Sequence, residues 1–340
     1  MSNKHSTLAG LFTDIADAIR EKTGSTDNIV ADAFPDAISA IEAGGGTDGE
    51  DALVLREFTE YSNDRVTRVG GGTFAYAVSL ASVSLPNVTI IDDRAFYACY
   101  ELLSVDFQKV TSVGSSAFTY CSKLTSVSFP NATHIGGSAF QYASSLTAAN
   151  FPNVVSVGSV AFGYCKSLTT ASMPRLATVP ERLFQGCHNL ATVNIPATTI
   201  GSGAFSDCYK LASANFPDAT DVGPYAFANC STLISVNLPE VTSFGSNAFR
   251  SCSALTAVNL PQVQTVGSYT FNSCYRLSSI TLGGSSVCSL ANANAFNYTP
   301  YSGNSSYYSG TPVIYVPASL LASYKVATNW SRYSKYMTGY

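Results

Sequence analysis

Apolar positions along this chain recur with one long period. Phe74, Phe96, Phe118, Phe140, Phe162, Phe184, Phe205, Phe227, Phe249, Phe271 and Phe296 fall on a 22-residue grid, with one step of 21 (to Phe205) and one of 25 (to Phe296). Within each period a shorter pattern repeats. The unit Leu124–Ser145 reads LTSVSFPNATHIGGSAFQYASS. Val127 and Phe129 alternate with Ser126 and Ser128, which predicts a half-buried strand over 126–129. Val83 with Leu85, Val193 with Ile195 and Val258 with Leu260 repeat the inward pair. Proline follows most strands, as at Pro86, Pro130, Pro196 and Pro239, and lacks the N–H a longer strand would need. Glycine follows the next aliphatic residue in many units, as at Gly114, Gly136, Gly223 and Gly267, and predicts a turn whose backbone shape a Cβ would resist. A period of this length defines a solenoid, in which each unit buries its apolar face only by stacking on its neighbours. Eleven such coils predict a curved rod about 50 Å long.

The two ends break the period. Residues 1–46 carry helical spacing in Leu8, Leu11, Phe12, Ile15 and Ile19, then in Phe34, Ile38 and Ile41 after Gly24 and around Pro35. Gly44, Gly45 and Gly46 follow as a hinge. Two short helices bury little surface alone, so this module is expected to attach to a partner, to self-associate, or to cap the solenoid. The expected organisation is a helical module at 1–46, a linker and cap strand at 47–65, repeats at 66–298 and a C-terminal cap at 299–340. That cap is expected to contain a strand within 312–317 and helical cover at 320–327 and 330–336. The fold class is therefore an α+β repeat: a solenoid of about eleven 22-residue units with a short helical N-terminal module.

Composition narrows the function. Lys and Arg total 18 against 22 Asp and Glu, so the chain has no electrostatic case for nucleic acid or an anionic membrane. No apolar run reaches the roughly 18 residues of a membrane span, and the first 24 residues show no continuous apolar core of a signal peptide. Eight of nine cysteines (Cys99, Cys121, Cys165, Cys187, Cys208, Cys230, Cys252 and Cys274) sit three residues after a grid Phe, in a slot that is Ala77 and Ala143 elsewhere. A slot taking Cys or Ala is a small buried site, so reduced buried thiols are expected rather than disulfides or metal ligands.

Chemistry is sparse. His5, His134 and His188 occupy unrelated slots, and Asp92 and Asp93 read as turn formers. No paired carboxylates, nucleophile elbow or phosphate loop is present, so no enzyme, cofactor or metal is expected. The outward strand rows (Ser82, Ser104, Ser126 and their neighbours Ser84, Asp106, Ser128) are short and polar, and lack anchors that dominate binding energy. Tyrosines gather near the turn after the grid Phe. Tyr76, Tyr120, Tyr142 and Tyr164 share a slot two residues past it, with a gap at Ala98 and with Tyr97 and Tyr100 close by. The same slot holds Gly186, Asp207, Asn229, Ser251 and Ser273 in other units, so it is not obligate core. It reads either as packing or as an exposed recognition edge. The segment 297–310, with Tyr301, Tyr307 and Tyr308, is a second tyrosine-rich candidate.

The pattern Leu-x-x-Val-x-Phe-Pro followed by Ile-Gly-x-x-Ala-Phe-x-x-Cys resembles the BspA-like (Treponema pallidum type) leucine-rich repeat over about 66–296. The resemblance implies a strand-lined solenoid associated with adhesion and surface recognition, without family-wide catalytic residues. Residues 1–46 resemble a module of tail-associated proteins of phages and prophages from Firmicutes. Together these imply a non-enzymatic receptor-binding component of a virion tail, joined to tail proteins through 1–46 and contacting a bacterial surface glycan or protein. A bacterial cell-surface adhesin is the alternative, and a structural spacer the third reading. Homo-oligomerisation through 1–46 is a further expectation.

Overall fold

In a computed structural model the described residues are 59–302 and 311–340. They belong to two compact units that divide between Cys165 and Lys166. Leu8, Leu11, Phe12, Ile15, Ile19, Phe34, Ile38, Ile41, Tyr307 and Tyr308 lie outside the described residues.

Each unit is a parallel β-solenoid. In the first, Glu60–Ser62, Ser82–Ser84, Ser104–Asp106 and Ser126–Ser128 form one parallel sheet in chain order. The expected strand ends one residue early, at Ser128. Glu60–Ser62 pairs with the first coil as an expected cap strand does, Tyr61 lying opposite Val83. A second ladder was not expected. Arg68–Val69, Ile90–Ile91, Ser112–Val113, His134–Ile135 and Ser156–Val157 stack as a five-stranded sheet at the step before the glycine turn. The second unit repeats both ladders. Its short-strand sheet has six members, and its Thr178↔Thr199 register absorbs the single-residue deletion. Its last long strands are Ala257–Leu260, Ser279–Leu282, Val313–Val316 and Met337–Gly339, all parallel.

Between the ladders the chain forms turns, and among the described residues the one α-helix is Leu321–Val326. The α component of the expected α+β class is thus small in the described residues. The reason lies in the backbone. Around each grid Phe, alternate N–H groups bond locally and to the next coil. Ala75 and Ala77 donate three residues back, to Gly72 and Phe74, while Phe74 and Tyr76 donate to Ala95 and Tyr97 of the following coil, each at 2.7 Å. An α-helix would turn every N–H along its own axis. The alternation instead requires left-handed residues two before and two after every grid Phe up to Phe271, such as Arg94 (φ 58°) and Tyr120 (φ 65°).

The core is a ring stack. Phe74, Phe96, Phe118, Phe140 and Phe162 are fully buried, with successive centroids 5.0–5.2 Å apart. In the second unit Phe205, Phe227 and Phe249 stack at 5.2 Å. Burial of each ring stabilises by roughly 1.5–3 kcal/mol. Aromatic residues close both stacks. Tyr61 meets Phe74 edge-on at 5.0 Å, and Phe296 meets Tyr333 and Trp330 at 5.2 and 5.9 Å. Trp330 Nε1 donates to the carbonyl of Cys288, and the Tyr324 hydroxyl accepts from the Cys288 N–H.

All nine cysteines are buried thiols outside any disulfide. The ladder thiols are more than small hydrophobes: Cys99 donates to the Phe74 carbonyl at 3.0 Å, and Cys121, Cys165, Cys230, Cys252 and Cys274 repeat this one coil apart. The turn glycines also have a different reason from the expected one. Gly114, Gly136, Gly223 and Gly267 are absent from the left-handed region. A Cβ on Gly223 would lie 2.8 Å from the Ser202 nitrogen, so glycine is required by the approach of the neighbouring coil's backbone.

Candidate functional site: a tyrosine edge

The slot two residues after each Phe is a strained place for a large side chain. Its N–H must reach the next coil, as Tyr120 reaches Gln141 and Tyr142 reaches Gly163, both at 2.9 Å. That geometry sets φ at 63°, 65°, 62° and 61° in Tyr76, Tyr120, Tyr142 and Tyr164. Left-handed backbone costs an L-residue roughly 1–2 kcal/mol, least for Gly, Asn and Asp. The second unit follows that preference in its first three coils, with Gly186, Asp207 and Asn229 in the slot, and then has Ser251, Ser273 and Tyr298. There Asp207 accepts from Asn229 at 2.8 Å, a local polar ladder. The first unit places tyrosine in the slot against the preference.

The rings form one row. Tyr120–Tyr142 and Tyr142–Tyr164 stack face to face at 4.9 and 4.8 Å. The gap at Ala98 is closed by Tyr97 from the adjacent position, which meets Tyr76 at 5.4 Å and Tyr120 at 5.7 Å, both edge-on. Five tyrosines are thus continuous through the unit, with Tyr76 45% and Tyr120 38% exposed. Tyr100 is exposed, at the first position past Cys99. Burial, then neighbouring tyrosines, pushes Tyr97 and Tyr142 above the ordinary phenol value, so both remain neutral donors at physiological pH. The Arg94 guanidinium lies 5.2 Å from the Tyr97 ring centre.

The other candidate departs from expectation. Tyr301 is buried in the C-terminal cap, its hydroxyl donating to the Val313 carbonyl at 2.9 Å and its ring edge-on to Phe296 and Tyr336. It presents no surface. Sequence reasoning passed over Tyr225, Tyr269 and Tyr298, exposed at left-handed positions of the second unit. Tyr225 and Tyr269 stand two residues before the grid Phe, a register whose left-handed backbone has no sequence mark. The outward strand rows satisfy one another, as in Asn237 to Asn215 at 2.7 Å. Threonines flanking both ladders donate to backbone carbonyls of the preceding coil, as Thr111 does to Thr89. Asp92 takes a bidentate pair from Arg68, and Asp93 accepts from the Ser115 N–H at 2.6 Å. His134 bonds Thr133, and His188 packs on Tyr209 at 4.8 Å. Among the described residues no cluster of three or more His, Cys, Asp or Glu could hold a metal ion, and no helix is long and apolar enough to cross a membrane.

A stack of parallel-strand coils with a leucine at each entry and an invariant buried ring defines a leucine-rich-repeat solenoid, typically a non-enzymatic binding scaffold. Residues 58–169 and 177–302 match the BspA type Leucine rich repeat region, and the chain belongs to that family. Among solved structures, a leucine rich cell surface protein from Faecalibacterium prausnitzii is 26% identical, covering 68% of this chain and 74% of its own, with a TM-score of 0.44. The leucine rich repeat protein of T. pallidum is 29% identical over 45% of this chain and 78% of its own, with a TM-score of 0.43. A leucine-rich repeat protein from Bacteroides ovatus is 20% identical over 84% of each chain, with a TM-score of 0.49. No curated protein matches the chain.

Proposed function

We propose that this chain is a non-enzymatic recognition protein that contacts a bacterial surface through the tyrosine edge of its first unit. The observation that carries this reading is the continuous row of Tyr76, Tyr120, Tyr142 and Tyr164 in left-handed backbone, where the second unit has Gly186, Asp207, Asn229, Ser251 and Ser273 before a lone tyrosine at Tyr298. Tyrosine supplies a large, rigid, amphipathic contact with little entropy to lose, which suits a recognition surface. The finer setting is a phage or prophage tail, with residues 1–46 joining the chain to tail proteins or to further copies of itself. It is supported by the resemblance of those residues to tail-associated modules. The repeat family favours a second setting, an adhesin at the bacterial cell surface.

Binding of the fluorescently labelled full chain to a panel of Firmicutes cells tests the function. Saturable binding is expected, falling at least tenfold when Tyr120, Tyr142 and Tyr164 are changed to Ser with the circular dichroism spectrum preserved. Equal binding by that variant sinks the edge, and no binding to any strain favours the spacer. Finding the protein in purified virions supports the tail setting; finding it only on cell walls supports the adhesin.

A further inference from the structure

The way the five rings meet restricts what can lie against them. Tyr142 spends both faces on Tyr120 and Tyr164, which give it one face each, at interplanar angles of 5° and 7°. What such a stack offers outward is ring edges and hydroxyls. The hydroxyls of Tyr97, Tyr120, Tyr142 and Tyr164 make no hydrogen bond within the described residues. Each can both donate and accept. The row therefore presents neutral hydrogen-bonding groups on rings whose centres follow one another at 4.8–5.7 Å.

Three ligand classes fit poorly. Single-stranded nucleic acid needs open aromatic faces and a cationic groove. The faces of Tyr120 and Tyr142 are taken up by neighbouring rings, and among the described residues the one cation seated on a ring of the row is Arg94 over Tyr97. An anionic polymer needs free positive charge, whereas nearby Lys123 is paired with Glu101 at 2.5 Å. A folded protein partner binds through anchors sunk into pockets at the centre of a patch. A row of equivalent phenols along one line has no centre.

Resting on the reading of this edge as the recognition surface, we infer that its ligand is a neutral, extended polysaccharide lying along the stacking direction. Its hydroxyls repeat along the chain as the phenols do, and each sugar engages the row in the same way. Recognition is then additive along the row. Affinity rises with oligosaccharide length until the five rings are covered, and is flat beyond. Each phenol hydroxyl contributes about two- to tenfold.

The test separates this inference from the reading beneath it. Cells that bind the wild-type chain are treated with periodate, which cleaves sugar diols, or with a broad protease, and binding is measured for three chains. These are wild type, the triple variant Tyr120→Ser, Tyr142→Ser and Tyr164→Ser, and the triple variant with Phe at the same positions. The Phe variant keeps the stack and removes only the hydroxyls, so its fold is preserved. The expected results are loss of wild-type binding after periodate, retention after protease, and at least a tenfold loss in both variants on untreated cells. Loss after protease with retention after periodate, while the Ser variant remains weak, overturns the polysaccharide and keeps the edge. Wild-type binding by the Phe variant overturns the hydroxyl contacts that define this ligand. Wild-type binding by the Ser variant removes the edge itself, and this inference with it.

Discussion

At the scale of single residues, two aromatic positions two apart in sequence have opposite reasons to exist. Phe140 is fully buried in the ring stack, while Tyr142 sits in left-handed backbone with its edge toward solvent. Replacing Phe140 by Ala leaves a cavity and is expected to destabilise by about 3–5 kcal/mol. Tyr142→Asn relieves roughly 1–2 kcal/mol of backbone strain and removes two ring contacts worth about 0.5–1.5 kcal/mol each. The two effects nearly cancel, so its urea midpoint should stay close to wild type while cell binding falls. A destabilisation of Tyr142→Asn as large as that of Phe140→Ala would show that the edge is structural. The Phe grid was legible because a buried ring must recur once per coil. The left-handed slot was not, because its φ is imposed by hydrogen bonds to a neighbouring coil and leaves no local mark when Tyr or Arg occupies it. Nor did spacing reveal that Tyr97 closes the gap at Ala98, since it reaches the row from one position earlier.

At the scale of the element, the turn glycines decide how closely coils stack. Gly223 has no left-handed backbone, so conformational preference alone predicts that Gly223→Ala is stabilising by about 0.4–1 kcal/mol. The Ser202 nitrogen 2.8 Å from the new Cβ reverses the sign. The expected outcome is a loss of about 1–3 kcal/mol by chemical denaturation. A gain would restore the turn-shape explanation that the sequence favoured. The long strands were readable from alternation, as in Ser126, Val127 and Ser128. The second ladder was not, because pairs such as His134–Ile135 are too short to alternate. The closing strand Val313–Val316 was legible as VIYV, but the Met337–Gly339 strand beyond it was not. Tyr301 looked like part of an exposed loop because its contacts with the Tyr336 ring and the Val313 carbonyl come from the cap that follows it in sequence.

At the scale of the whole molecule, the thiol ladder makes stability depend on pH in one direction. Burial raises Cys121, Cys208, Cys230, Cys252 and Cys274 above their ordinary value of 9.0, and pushes Cys288 up to about 12. The folded chain therefore keeps protons that the unfolded chain releases above about pH 9. Stability should be full below that pH and fall as it rises further. Thermal melts from pH 7 to 10.5 in the presence of a reductant check this, and Cys208→Ala should make the decline shallower. A flat profile would contradict thiols held protonated by burial. The central claim concerns which surface meets the partner, and tyrosine nitration read by mass spectrometry, with the chain free and bound to cells, tests it most directly. The account predicts that Tyr76, Tyr120, Tyr142 and Tyr164 react in the free chain and are protected when bound, while Tyr225 and Tyr269 react equally in both states. Protection of Tyr225 and Tyr269 with undiminished nitration of the first-unit row would contradict it.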